Sequence, residues 1–194
     1  MATFIDLDSI WRDREVNPNP AEYELRPQQV ETWFRGARSV RAHPQNPNLQ
    51  PLEFATTVNI RYLTVPYTEF LAGIPRLYVD LHTVKYNDIH LIQTIDGRHP
   101  TARFICAFDK IQNDAGGEPL WIHYACRMEQ TMRFKRDDPV VFRVMTRDGS
   151  VLPNTDTLVP EDPDPNKQIL ATFEITPYIR DGDYENSLVE TSVL

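Results

Sequence analysis

A two-residue alternation of apolar and polar side chains runs through the chain from Leu52 onward, and it restricts the fold to one built from half-buried strands. In EFATTVNIRYLTV, Glu53 to Val65, the residues Thr56, Val58, Ile60 and Tyr62 fall on one predicted face, and Thr57, Asn59 and Arg61 on the other. Similar runs at Arg76–Val84, Ile89–Ile95, Arg103–Ile111, Leu120–Met128, Gln130–Lys135, Val140–Arg147 and Gln168–Ile175 bring the expected strand count to about eight. Turn formers punctuate them. Asp96-Gly97 and Asp148-Gly149 suit tight hairpins, Gly116-Gly117 suits a looser one, and Asp138-Pro139 opens a strand where proline is tolerated.

No stretch alternates strands with helices as a parallel α/β sheet requires, so the choice lies among antiparallel β folds. About eight strands in this length match a jelly-roll-like β-sandwich. An immunoglobulin-like sandwich fits less well, because Trp121 does not lie centrally between distant cysteines. Phe104, Phe108, Phe142, Val144 and Phe173 sit on the apolar phase of their strands and are expected in the core.

With 194 residues the chain suits one hydrophobic core with attached segments. Sixteen prolines against seven glycines favour extended arms and rigid turns over helix interiors. We therefore expect an N-terminal arm over 1–51, the sandwich over 52–176, and an acidic C-terminal tail over 177–194. Within the arm, Pro27 can open a short amphipathic helix whose face carries Val30, Trp33, Phe34 and Ala37. The sequence Asn17-Pro18-Asn19-Pro20 holds the chain extended, and Arg12-Asp13-Arg14-Glu15 beside Trp11 offers directed ion pairs.

Charge and chemistry exclude several functions. The formal charge is −8, and from Arg147 to Leu194 three basic residues face ten acids. The remainder is nearly balanced, which argues against nucleic acid as a partner because a binder needs a basic patch. No apolar run suggests a signal peptide or a transmembrane segment, so a soluble, unsecreted protein is expected. Cys106 and Cys126 could pair with each other, but an isolated pair in a domain of this size is expected to be two buried thiols of a reducing compartment. His43, His82, His90, His99 and His123 are never two apart, as a cupin-type metal strand would need, although His82 and His90 could meet across a hairpin. His123 and Cys126 are three apart on one strand, so their side chains point to opposite faces and cannot pair. There is no nucleophile elbow and no phosphate-binding glycine loop. We expect no catalytic residue, no metal and no cofactor, and thus no enzyme. The competing reading is a jelly-roll binding module or cupin-like enzyme acting on carbohydrate or a metal-held substrate.

One resemblance is specific. The stretch DLDSIWRDREVNPNPAEYEL, then QQVETWF and PLEFATTVNIRYLTVPY, resembles the N-terminal portion of minor capsid proteins of chloroviruses and related large icosahedral double-stranded DNA viruses. It continues more weakly through LYVDLHTV, ARFICAFDK and DPVVFRVMTRDG, so it covers most of the chain except the acidic end. The resemblance implies a jelly-roll-like structural protein in the inner layer of a virion capsid. Its partners would be the double-jelly-roll major capsid protein, other minor capsid proteins and neighbouring copies of itself. On that basis Trp11, Arg12, Arg14, Trp33 and Phe34 are the expected protein-interface residues.

Overall fold

The computed structural model describes residues 2–26, 39–41, 53–83, 102, 104–113, 116–117, 119–135, 139–153, 156 and 162–177. Ten strands are found among the described residues: β1 (Thr3–Asp8), β2 (Glu22–Leu25), β3 (Ser39–Arg41), β4 (Glu53–Pro66), β5 (Arg76–Thr83), β6 (Phe104–Asn113), β7 (Pro119–Cys126), β8 (Glu129–Lys135), β9 (Val140–Met145) and β10 (Leu170–Pro177). All pairings are antiparallel, in the order β1-β10-β4-β7-β6-β5-β9-β2, with β3 and β8 also paired to β4. Helical content among the described residues is small: one short helix, Glu69–Ala72, and two 3-10 turns, Ser9–Trp11 and Pro165–Lys167. The fold is all-β and jelly-roll-like.

The sheet curls until β9 and β10 face each other across the core. Phe142 on β9 and Phe173 on β10 lie 6.2 Å apart between ring centroids, although β4, β7, β6 and β5 separate their strands in the sheet. Tyr23 on β2 adds a third ring at 5.2 Å from Phe142. Around these rings Val58, Ile60, Leu63, Val65, Leu77, Val79, Leu81, Phe104, Ile122 and Tyr124 form one buried cluster. Such a core is what two facing apolar sheet surfaces produce. Thr68 caps the short helix by accepting from Leu71 N at 3.2 Å. The buried Tyr124 hydroxyl donates to Ile74 O at 3.0 Å, which ties the loop after the helix to the core. Burial pushes that hydroxyl up to about 12.

The expected strands at Arg76, Arg103, Leu120, Gln130, Val140 and Gln168 correspond to β5 to β10 with ends shifted by a few residues at most. The turn at Asp148-Gly149 forms as a tight reversal: Gly149 takes a φ of 82°, and Thr146 N donates to Ser150 O at 2.9 Å. Gly117 has a φ of 87° in the turn between β6 and β7. The run Ile89–Ile95, the Asp96-Gly97 turn, the helix expected after Pro27 and the tail after 177 lie outside the described residues.

Three expectations are corrected. First, residues 1–51 do not form a separate arm in their described parts, since β1 pairs with β10, β2 with β9 and β3 with β4. Ile5 and Leu7 turn inward against the core, and Tyr23 and Leu25 belong to it. Second, Tyr62 does not share the face of Val58 and Ile60. β10 pairs Phe173 with Ile60 but Thr172 with Tyr62, so Arg61 is the extra residue of a bulge that reverses the alternation. Tyr62 is 56% exposed, while Leu63 and Val65 are buried. Third, Phe108 is 42% exposed, whereas Phe104, Phe142, Val144 and Phe173 are fully buried. Phe108 lies at the end of the β5–β6 pairing and beside an irregularity in the β6–β7 register; its N–H donates to Pro75 O at 2.9 Å and its ring rests edge-on against Tyr124 at 6.1 Å.

Candidate functional site

The N-terminal motif is built from one buried cation outward. Asp8 ends β1 and accepts from Ile10 N at 2.9 Å, which starts the Ser9–Trp11 turn and directs the chain back across β10. Ser9 docks that turn: its N–H donates to Ile169 O at 3.0 Å, its hydroxyl donates to Gln168 Oε1 at 2.9 Å, and the hydroxyl accepts from Ile169 N at 2.8 Å. Arg12 follows, with its side chain 1% exposed. Its Nε donates to Asn17 O at 2.9 Å, Nη1 to Ser9 O and Gln168 Oε1 at 2.7 Å each, and Nη2 to Pro18 O and Asp156 Oδ2 at 2.9 Å each. All five guanidinium N–H groups are thereby used. Asp156 is itself fully buried, and Arg14 Nε stands 3.3 Å from the same carboxylate oxygen.

This arrangement changes the roles expected for the motif. Arg12 is not an exposed interface residue, because its hydrogen-bonding capacity is taken up inside its own fold. Arg14 is a mostly covered second cation on Asp156, its side chain 20% exposed. Trp11 has the opposite fate. It is 79% exposed, on a turn held from beneath by Ser9 and Arg12. Beside it lies an open groove of about 520 Å³ lined by Asp13, Val16, Asn17, Glu24 and Arg26. Arg26 pairs with Asp13 across that groove. Trp33 and Phe34, the other two expected interface residues, lie outside the described residues.

A second surface was not anticipated from the sequence. On the outer face of β10, β4, β7 and β6, the bulge turns Tyr62 outward near the half-exposed Leu170, and Phe4 on β1 is exposed beyond them. His123 lies on the same face, with Nδ1 2.9 Å from Thr64 Oγ1 and Nε2 3.1 Å from Gln112 Oε1. Partial burial, and then the charge of Lys110, hold this imidazole below its ordinary value. The sequence carried a signal for Trp11 in its motif, but none for Tyr62, whose direction depends on a bulge set by its neighbour strand.

Among the described residues no group of three His, Cys, Asp or Glu side chains is placed to hold a metal ion. His82 Nδ1 instead lies 2.6 Å from the Asp80 carboxylate. His123 and Cys126 point to opposite faces, as their spacing requires: Cys126 is buried in the core and His123 is bonded on the outer face. No helix among the described residues is long and apolar enough to cross a membrane. Two exposed aromatic side chains, Trp11 and Tyr62, mark separate surfaces of the described residues. No protein-family model and no curated protein matches the chain.

Proposed function

We propose that this protein is a structural minor capsid protein that lies beneath or between major-capsid-protein capsomers and stabilises an icosahedral shell through protein contacts. The reading starts from the resemblance of the Asp6-to-Leu25 stretch, and Trp11 is the observation that carries it. A large aromatic left 79% exposed on a turn braced by a buried, fully bonded arginine is a preorganised anchor. Tryptophan in such a position is the residue type that most often dominates a protein interface. Arg12, Arg14 and Asp156 act as positioning residues that keep Trp11 in place before a partner arrives.

The role is tested in purified particles. Mass spectrometry should find the protein in fixed ratio to the major shell protein, and Trp11→Ala should lower its incorporation while leaving its unfolding curve unchanged. The loss of binding should be about 2 kcal/mol or more, as for other central aromatic anchors. Absence from particles would overturn the reading. Normal incorporation of Trp11→Ala would move the interface to another surface, with Tyr62→Ala as the next variant.

A further inference from the structure

The two cysteines, 0% and 5% exposed, face each other. Cys106 on β6 and Cys126 on β7 are direct partners in the antiparallel register, both on the core-facing phase, and both are free thiols. Antiparallel partners stand roughly 4.5–5.5 Å apart between Cα atoms. A disulfide spans about 4.4–6.8 Å, so closing one here needs side-chain rotation and no strand movement. Their proximity acts on both thiols, raising Cys106 and lowering Cys126.

The two sulfurs differ in surroundings. β7 ends at Cys126, and the chain continues through the exposed Arg127, Met128 and Glu129, so this sulfur lies at the rim of the core. Met128 N donates to Cys126 Sγ at 3.5 Å. The neighbouring Cys106 thiol first, and then hydrogen bonds from backbone N–H groups, bring Cys126 down to about 7 against the opposing effect of burial. Cys106 is raised by the neighbouring Cys126 thiol and by burial. A thiolate near neutral pH beside a second thiol is the arrangement of an attacking and a resolving cysteine.

We propose that Cys106 and Cys126 form an oxidisable dithiol that hydrogen peroxide closes into a cross-strand disulfide between β6 and β7. Cys126, having released its proton to solvent, attacks one peroxide oxygen as the thiolate. The S–O bond forms, the O–O bond breaks, and the departing hydroxide takes the Cys106 proton as water. Cys106 thiolate then attacks the sulfur of the Cys126 sulfenic acid, forming S–S and breaking S–O. The second hydroxide takes a proton from solvent. Two thiols lose two electrons and one peroxide becomes two waters. The product ties two neighbouring strands covalently in an oxidising medium and is released again by a dithiol reductant.

The test uses the full chain, reduced, desalted and treated with hydrogen peroxide near neutral pH, then denatured and alkylated with N-ethylmaleimide. Peptide mapping should recover the Cys106 and Cys126 peptides joined to each other and lacking the alkyl group, and dithiothreitol should restore two alkylated thiols. Cys106→Ser should leave Cys126 as a sulfenic acid that dimedone traps, while Cys126→Ser should react far more slowly. Overturning results are full alkylation of both cysteines after peroxide, sulfinic acids without a cross-link, or a disulfide joining two separate chains. The wild-type map decides even where a serine variant fails to fold. Equal peroxide reactivity of the two variants would overturn the assignment of Cys126 as the attacking sulfur.

Discussion

Arg12 shows how far one residue's role depends on what surrounds it. Placing a guanidinium at 1% side-chain exposure is costly unless each donor finds an acceptor, and here three backbone carbonyls, Gln168 and Asp156 supply them. Removing the cation leaves the Asp156 carboxylate buried with Arg14 as a more distant partner at 3.3 Å. Arg12→Ala should therefore cost about 3–5 kcal/mol of stability, read as a lowered urea midpoint, whereas Trp11→Ala next to it should cost almost nothing. A near-normal midpoint for Arg12→Ala would mean that the network adds nothing net. The phenylalanines give a matched comparison. Phe142→Ala should cost about 3–5 kcal/mol, because it empties the contact between Tyr23 and Phe173. Phe108→Ala should cost less than half of that, since solvent already reaches the ring. Equal losses would contradict the burial difference between them.

At the scale of elements, β1 and the turn after it decide whether the N-terminal region is a free arm or part of the sandwich. β1 pairs with β10 along its whole length, from Thr3 with Ile175 to Asp8 with Leu170, and Ile5 and Leu7 cover the core edge. Deleting residues 1–20 removes this strand together with Ser9 and Arg12, and exposes the backbone edge of β10. The truncated chain should fail to unfold cooperatively in urea, and its circular dichroism should lose β-sheet signal. A cooperative transition at the wild-type midpoint would return the segment to the status of a detachable arm. The bulge at Arg61 works at the same scale. One extra residue opposite β10 turns Tyr62 to solvent and lets β4 present a core face to both of its halves, and Arg61 itself pairs with Glu174.

For the whole molecule, pH couples to folding through the outer face. His123 is held below its ordinary value of 6.5, so the unfolded chain binds a proton there more readily than the folded one. Its contribution to stability is present above pH 6.5 and declines as the pH falls through 6.5 toward the folded value. The ring is only partly buried, so the effect is small. Urea midpoints measured from pH 8 to pH 5 should fall on the acidic side, and His123→Gln should fall less across that window while keeping a partner for Thr64. Identical profiles for the two proteins would remove His123 as the source.

Much of the sandwich was legible in the sequence because a half-buried strand writes its two faces directly into a period of two. That signal located β4 to β10 apart from their ends, and placed Phe104, Phe142, Val144 and Phe173 in the core. The same alternation exists in Thr3–Asp8 and Glu22–Leu25, but short runs among prolines look like an arm until a partner strand is known. Only the tertiary structure decided those pairings, since backbone hydrogen bonds to β10 and β9 leave no mark on composition. It also decided the motif's division of labour. Arg12 meets Asp156 across 144 residues, a separation at which sequence spacing carries no information, and that meeting is what buries the arginine and leaves Trp11 in solvent.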